Sequence, residues 1–442
     1  MSTETELSVE ERIFQVLKHL GIKKAHLAAR LDADWRGLAI AHPEVIASLT
    51  LVLPMAMPQD LLAQFGSRLT VFVGDQGAGT EAVQQAMPSL PDANFVRLPG
   101  YTSIGWSNVA ADRSEEMRSG ISEFLTRLDN ISEQEGGLQA ETQGEVAGIR
   151  YQIQGSGAPL VLLPLQLAPS QWEPIVPELS QSYCTVTLTG AHLGHAANLE
   201  SRGKTGFSTL VKDLIENMRL QPGQRVLDVG CGTGVCSRLV ARVTDGSNPV
   251  TGIDISPYLL REAVSLTGNE SLDKFIEYRE GSAEAIPFDD DTFDATMAIT
   301  MMEEADAEVV LSELVRVTRP GGRVAVVVRA LDMPGWSSLP LRPELKKKLE
   351  ATTFGGREPQ GCADAALYQL FRNAGLTNLK RYPQLVTVEA TTPTALNYYS
   401  TMMSRTLSGD ELEEWRAARA KAEETGSYFL AMPYHCAVGT KP

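Results

Sequence analysis

The chain has 442 residues, 43% hydrophobic and 21% charged, with a formal net charge of -16. That length allows two or three domains with separate cores, and the composition is that of an ordinary soluble globular protein. The acidity opposes a phosphate-rich partner, so a DNA or large-RNA substrate is not expected.

The start, MSTETELSVEER, is polar and acidic, without the basic and apolar regions of a signal peptide. No run reaches the ~18 apolar residues of a membrane span, so no membrane association is expected. The cysteines Cys184, Cys231, Cys236, Cys362 and Cys436 are scattered and odd in number, which suits reduced thiols in the cytoplasm. Cys231 and Cys236 have no second close pair or nearby histidine, so no metal site is expected. Lys346, Lys347 and Lys348 read as a solvated helix face.

Residues 10–129 alternate helical and strand-like patterns. Residues 130–144, NISEQEGGLQAETQG, have no apolar period and read as a linker. Residues 145–205 again read as strands and turns. A new pattern opens at Phe207. Phe207, Leu210, Val211, Leu214, Ile215 and Met218 share one helical face, and Gln221-Pro222-Gly223 ends the helix. Then VLDVG reads as a strand, the stretch after Gly234 as a helix, and PVTGIDI as a strand. SPYLLREAVSL opens with a Ser/Pro cap and reads as a helix. FDATMAIT is a strand, and EEADAEVVLSELVRVT is a helix stopped by Pro320-Gly321-Gly322. RVAVVVRA is a strand. Strands alternating with helices predict a parallel, doubly wound α/β sheet.

Between the first strand and its helix stands Asp228-Val229-Gly230-Cys231-Gly232-Thr233-Gly234. Glycine there permits a tight turn and lets a ligand approach the backbone. Asp254 ends the next strand, where a carboxylate can accept hydrogen bonds from a ribose diol. Strand four opens with Phe293-Asp294. The spacing GxGxG behind an acid is not the GxGxxG of a dinucleotide site, whose helix N-terminus must receive a pyrophosphate. Acidic and carbonyl groups suit the cationic ammonium and sulfonium of S-adenosylmethionine (SAM) better.

VLDVGCGTG, GIDIS, EGSAEAIPFDDDTFD and LVRVTRPGGRVAV resemble successive motifs of the class I SAM-dependent methyltransferases, in the small-molecule branch that includes the ubiquinone/menaquinone enzymes. The resemblance covers Phe207–Ala330 and runs more loosely through FRNAGL and FLAMPYHCAVGTKP. It implies a Rossmann-like seven-stranded domain over 206–442 with SAM as cofactor. Asp228, Gly230, Gly232 and Gly234 would line the methionine part and Asp254 would hold the ribose. Ile255 would pack on adenine, with Ser282 and Ala283 beside its amine. Ile299 and Thr300 would face the sulfonium. The family usually has Asp where Ser282 stands, which places the adenine contact in doubt.

Methyl transfer is an in-line displacement that needs alignment first; a base helps when the acceptor must lose a proton. The candidates are Glu303, Glu304 and His435. The plainer alternatives are an acidic helix N-terminus for the glutamates and a packed strand residue for His435, with Tyr434 beside it. Two segments lack family motifs and are expected to form a substrate lid. One is 331–361, with Asp332, Met333, Trp336, Phe354 and Arg357. The other is 392–428, with Tyr398, Tyr399, Met402, Met403 and Trp415. They suit a mostly apolar small molecule. Whether the acceptor atom is O, N, C or S is open.

The first 205 residues resemble an α/β hydrolase with its halves exchanged. LKHLGIKKAHLAARLDADWRGLAIAHPEVIASLTLVLP is similar to that fold's central strand, elbow, helix and strand. LTVFVGD, FVRLPGYTSIGW and SGISEFLTRL are similar to its last strands and helix. GIRYQIQGSGAPLVLLPLQLAPSQWEPIVPELSQSYCTVTLTGAHLGH is similar to its first strands. A linker of fifteen residues reaches up to ~50 Å, enough for the roughly 34 Å across seven strand spacings. AARLDAD stands where the nucleophile elbow belongs, GYTSIGW replaces the final histidine, and Pro164-Leu165 replaces the oxyanion His-Gly. The domain therefore reads as non-hydrolytic, serving dimerisation or substrate capping. Asp32 or Asp34 as a nucleophile would make the enzyme bifunctional. Asp75 reads as a turn residue and His192 and His195 as loop residues. The remaining alternatives are a non-catalytic SAM-binding scaffold and an NAD-dependent oxidoreductase. A homodimer is left open.

Overall fold

The computed structural model describes residues 7–442 except 31, 78, 104–107, 129–140, 168, 191, 352–358, 390, 405, 406 and 408. Residues 104–106 of GYTSIGW, most of the expected linker, and Phe354 and Arg357 lie outside the described residues, as do the side chains of Asp32 and Met402. The chain divides into two compact units, Met1–Ala197 and Asn198–Pro442. The boundary falls inside the helix Gly194–Arg202, ahead of the 205/206 position expected from the sequence.

The first unit is built on β1 (Ala25–Ala29), β2 (Ile46–Val52), β3 (Leu69–Gly77), β4 (Asn94–Ser103), β5 (Gln143–Val146), β6 (Ile149–Gln154), β7 (Pro159–Leu162) and β8 (Cys184–Thr189). They form one sheet in the order β4-β3-β2-β1-β7-β8-β6-β5. β4 to β8 run parallel, and β6 and β5 close the edge antiparallel. Gln143 and Gly144, expected in the linker, pair with β6 instead. β1 and β2 are buried along their whole length, as a parallel strand covered on both faces requires.

The second unit contains β9 (Val226–Val229), β10 (Val250–Asp254), β11 (Ile276–Glu280), β12 (Phe293–Ile299), β13 (Thr318–Arg329), β14 (Trp336–Ser337), β15 (Thr377–Glu389) and β16 (Phe429–Thr440). The eight-stranded sheet runs β11-β10-β9-β12-β13-β16-β14, with β15 also paired to β16. β14 has two residues, so seven longer strands carry the architecture. β9 to β13 are parallel; β14 and β15 run antiparallel to β16, which itself runs antiparallel to β13.

β13 explains the burial. Val324, Val326 and Val328 enter one core with the helices Ala307–Val317 and Ala366–Asn373. Ala325 and Val327 enter the other, with the helices Phe207–Met218 and Val235–Val243. Successive side chains point to opposite faces, so a strand buried on both needs no polar alternation. The Phe207–Met218 helix buries Phe207, Leu210, Val211, Leu214, Ile215 and Met218. Each is worth ~1.5–3 kcal/mol of transfer free energy before chain entropy is charged.

One boundary differs from expectation in a way that matters. The helix expected from Glu303 begins at Ala307, capped by Asp306, whose side chain accepts from the Glu308 and Val309 N–H groups. Glu303 and Glu304 are therefore not a helix N-terminus. The Glu303 carbonyl instead accepts from the N–H groups of Gln360 and Gly361, at 2.9 and 3.1 Å. The helix ends at Val317, and Pro320-Gly321-Gly322 lies within β13.

Candidate active site

Strand β9 delivers its chain to a turn whose backbone only glycine accepts easily. Gly230, Gly232 and Gly234 have φ of 72°, 56° and 77°. A Cβ on Gly234 would stand 2.1 Å from the Tyr278 hydroxyl, and one on Gly230 would stand 2.8 Å from Met301. Two conditions thus coincide at each position, left-handed backbone and close approach. The N–H groups of Gly230 and Cys231 both donate to the Ile253 carbonyl, at 2.8 and 3.0 Å, which ties the turn to the end of β10.

Both acids face this turn. Asp254 Oδ2 accepts from Gly232 N–H and Oδ1 from Ser256 N–H, each at 2.9 Å. The carboxylate is thereby fixed with lone pairs remaining for a diol. Burial raises its pKa against these bonds. Asp228 Oδ2 accepts from the Ser237 hydroxyl at 2.6 Å. Burial, reinforced by Asp254, pushes the Asp228 carboxyl up to about 7 despite that bond. Two buried acids side by side suit a cationic ligand.

The turn is braced by residues that sequence reasoning assigned to the first domain. Glu200 accepts from the Thr233 hydroxyl and pairs with Arg238. Arg238, 1% exposed, also pairs with Glu270 at 3.0 Å and donates to the Thr233 carbonyl at 2.7 Å. Arg202 donates to the Thr300 hydroxyl at 2.8 Å. Neither Glu200 nor Arg202 sits in a family motif, so periodicity gave no sign of them.

On the β10 side, Ile255 is 65% exposed immediately after Asp254, as an apolar platform for a flat ring would be. Ser282 accepts from the Glu284 N–H at 3.2 Å; Ala283 packs against the core. The following loop is held by Arg316, which donates to the carbonyls of Ile286 and Phe288 and pairs with Asp290 and Glu313.

Beyond β12, Ile299 is buried in the core and Thr300 turns the chain with φ 55°. Glu303 is fully buried; its Oε1 accepts from Arg329 N–H at 2.8 Å and pairs with the Arg329 guanidinium. Among the described residues its Oε2 is buried with no hydrogen-bond partner, and burial raises its pKa against the pull of Arg329 and Arg202. Near Arg329 stand Tyr398, Tyr399 and Tyr434, with the last two hydroxyls 3.1 Å apart. Glu304 is half-buried. His435 meets neither glutamate by hydrogen bond: Nε2 contacts Asp332 Oδ1 and Nδ1 the Tyr368 hydroxyl, each at 2.8 Å.

The two segments without motifs pack into the core on the Tyr434 side. Leu339, Leu345, Leu349, Tyr399, Met403 and Trp415 are buried there. Arg342–Glu414 and Lys348–Glu411 tie the helix Pro343–Ala351 to the helix Asp410–Glu424. Lys346 lies over the Trp336 ring and pairs with Glu350. In the first unit, Asp34 is buried and accepts from Gly194 N–H at 3.0 Å, and burial pushes it up to about 7. Asp75 accepts from Gly100 N–H at 2.6 Å, bridging β3 and β4. Among the described residues no helix is long and apolar enough to cross a membrane.

Residues 227–326 match the methyltransferase-domain family. The methyltransferase phqN of Penicillium fellutanum is 34% identical over 37% of this chain and 50% of its own length. An uncharacterised protein of Mycobacterium tuberculosis is 32% identical over 38% of this chain and 62% of its own. A demethylmenaquinone methyltransferase of Halalkalibacterium halodurans is 36% identical over 26% and 46%. The chain thus spans about half the length of the curated relatives it matches.

Proposed function

We propose that this chain, whose residues 227–326 match the methyltransferase-domain family, carries a class I SAM-dependent methyltransferase domain in its second unit and transfers the methyl group of SAM to a small-molecule acceptor. The observation that carries the reading is the glycine turn with Asp254 bonded across it through Gly232 N–H. The residues present fit the cofactor. Gly230 and Gly234 hold the turn in a left-handed backbone that a side chain would strain, and Asp228 is a buried acid whose ionised form needs a cation nearby. When bound, SAM supplies an electrophilic methyl on a sulfonium. Asp228 and the glycine turn would hold its amino-acid end, Asp254 the ribose, and Ile255 the adenine face.

Of the three candidates, Glu303 is the one we assign to receive the acceptor's proton. Among the described residues its Oε2 has no hydrogen-bond partner, whereas both ring nitrogens of His435 are engaged. With SAM bound, Glu303 Oε2 would take up the proton that the acceptor loses as it is methylated. An O–H or N–H acceptor fits this arrangement. The relative named for demethylmenaquinone supports an acceptor of largely apolar character. The test is mass-spectrometric detection of methylated product from SAM and a panel of phenols, carboxylic acids and amines. Turnover on any member, lost in Asp254→Ala, supports the reading; SAM binding without turnover of any favours the scaffold alternative.

The first unit is read as a permuted, non-hydrolytic hydrolase-like domain that dimerises or caps the acceptor. Its two segments complete one sheet, joined where β1 pairs with β7, and β4 and β5 end at opposite edges. Asp34, bonded to Gly194 N–H and held towards its neutral form, is poorly suited to nucleophilic attack.

A further inference from the structure

The sheet of the first unit changes direction at one place. From β1 the chain moves outwards to β2, β3 and β4; from β7 it moves the other way, to β8. β1 and β7 are parallel neighbours, with Ala28 level with Leu162. The segments that leave their carboxyl ends therefore diverge. It is at such a switch point that an open parallel sheet leaves a crevice for a ligand.

Buried polar groups gather there. Arg30 directly follows β1 and is 1% exposed. Ala29 belongs to one core and Ala28 to the other, so by strand alternation Arg30 points to the Ala28 face. Tyr101 lies in that same core, and its hydroxyl acts on the Arg30 charge. Gln166 stands in the segment that leaves β7, its carbonyl accepting from His195 N–H at 2.7 Å. Ser170 sits in the short turn Pro169–Trp172. Trp172 fastens that turn to the end of β7, Nε1 donating to the Leu163 carbonyl at 2.6 Å, and its ring enters the Ala28 core. Among the described residues, Arg30 Nε and Nη1, Gln166 Oε1 and Ser170 Oγ are buried and make no hydrogen bond. Arg30 keeps other interactions; what matters is that these two nitrogens have N–H groups to give. Buried polar atoms left unmade are costly and rare. Guanidinium N–H groups suit the oxygens of an anion. The amide oxygen of Gln166 suits a donor such as a hydroxyl, and the Ser170 hydroxyl can serve either group.

We propose that the first unit binds a small hydroxy-carboxylate at the carboxyl ends of β1 and β7, its carboxylate on Arg30 and its hydroxyl on Gln166. Every residue involved belongs to the first unit, so the site does not depend on the reading of the second. Charge-assisted N–H···O bonds of this kind are worth roughly 10- to 100-fold in affinity.

The probes are lactate, propionate, which lacks its hydroxyl, and propylene glycol, which lacks its carboxylate, each titrated into the full chain and followed by ligand-observed NMR. The wild type is expected to bind lactate about 10- to 100-fold more tightly than propylene glycol, and about 10-fold more tightly than propionate. Arg30→Met leaves lactate no better than propylene glycol. Gln166→Leu leaves lactate no better than propionate while keeping its lead over propylene glycol. Arg30→Lys, which keeps the charge but loses donors, falls between wild type and Arg30→Met, and carries the comparison if the neutral variant does not fold. Lactate that fails to bind the wild type, or binds no better than propylene glycol, overturns the proposal; water alone would then satisfy these groups. A preference undiminished in both Arg30 variants overturns it as well, since the carboxylate would then be held elsewhere.

Discussion

Asp228 lies wholly inside the protein, beside a second acid and one serine hydroxyl. Its carboxyl is raised from 3.8 to about 7, so the folded chain holds a proton that the unfolded chain releases. Stability from this residue is fully present below pH ~4 and falls as pH rises towards ~7. In the unliganded protein, Asp228→Asn should therefore gain melting temperature relative to the wild type between pH 5 and 8. Melting curves that stay parallel across that range would contradict the assignment. Glu303 titrates in the same direction for the same cause, but its consequence is kinetic. Only the ionised form accepts a proton, so turnover should rise with pH through its raised pKa. Glu303→Gln should lower kcat by about 10²–10⁴-fold and flatten that profile. A Glu303→Gln enzyme with an unchanged pH profile would leave Glu303 as a strut for Arg329 alone.

The elements of the second unit were legible because their physics is local. Phe207–Met218 is a helix from its apolar spacing alone, and Ser256 caps Pro257–Asn269 through a bond to Leu259 N–H. The misplaced element was the start of the helix after β12. Glu303 and Glu304 have good helix propensity, yet Glu303 is held by Arg329 and by the 360–361 backbone, and Asp306 caps the helix instead. Such tertiary competition has no signature in a window of neighbours. β11 escaped for a related reason: IEYRE is mostly exposed and carries no buried strand pattern. The lid segments join the same core as the sheet, so their stability should reside in apolar burial. Trp415→Ala should cost about 3–5 kcal/mol, whereas breaking the exposed Lys348–Glu411 pair with Lys348→Ala should cost at most about 1 kcal/mol. Chemical denaturation of the two variants checks both; a larger loss from the lysine would place the lid's stability in its charges.

At the scale of the molecule, the sequence separates two sheets and puts the glycine turn in the second, but the expected junction at 205/206 falls after Arg202. Residues 198–205 belong with the second unit, because Glu200 and Arg202 serve Thr233, Arg238 and Thr300. Residues 198–205 carry no family motif, so nothing in the local pattern marked them. The first unit, with Asp34 buried against Gly194 N–H, should hydrolyse p-nitrophenyl acetate no faster than buffer, and Asp34→Asn should change nothing. A hydrolysis rate abolished by Asp34→Asn would restore the bifunctional reading. The most direct measurement concerns the turn from which the whole account starts: calorimetric binding of S-adenosylhomocysteine to wild type, Asp254→Ala and Gly232→Val. The account predicts one site in the wild type and a loss of about 100-fold or more in each variant. Undiminished affinity in both variants, with both folded, would contradict it.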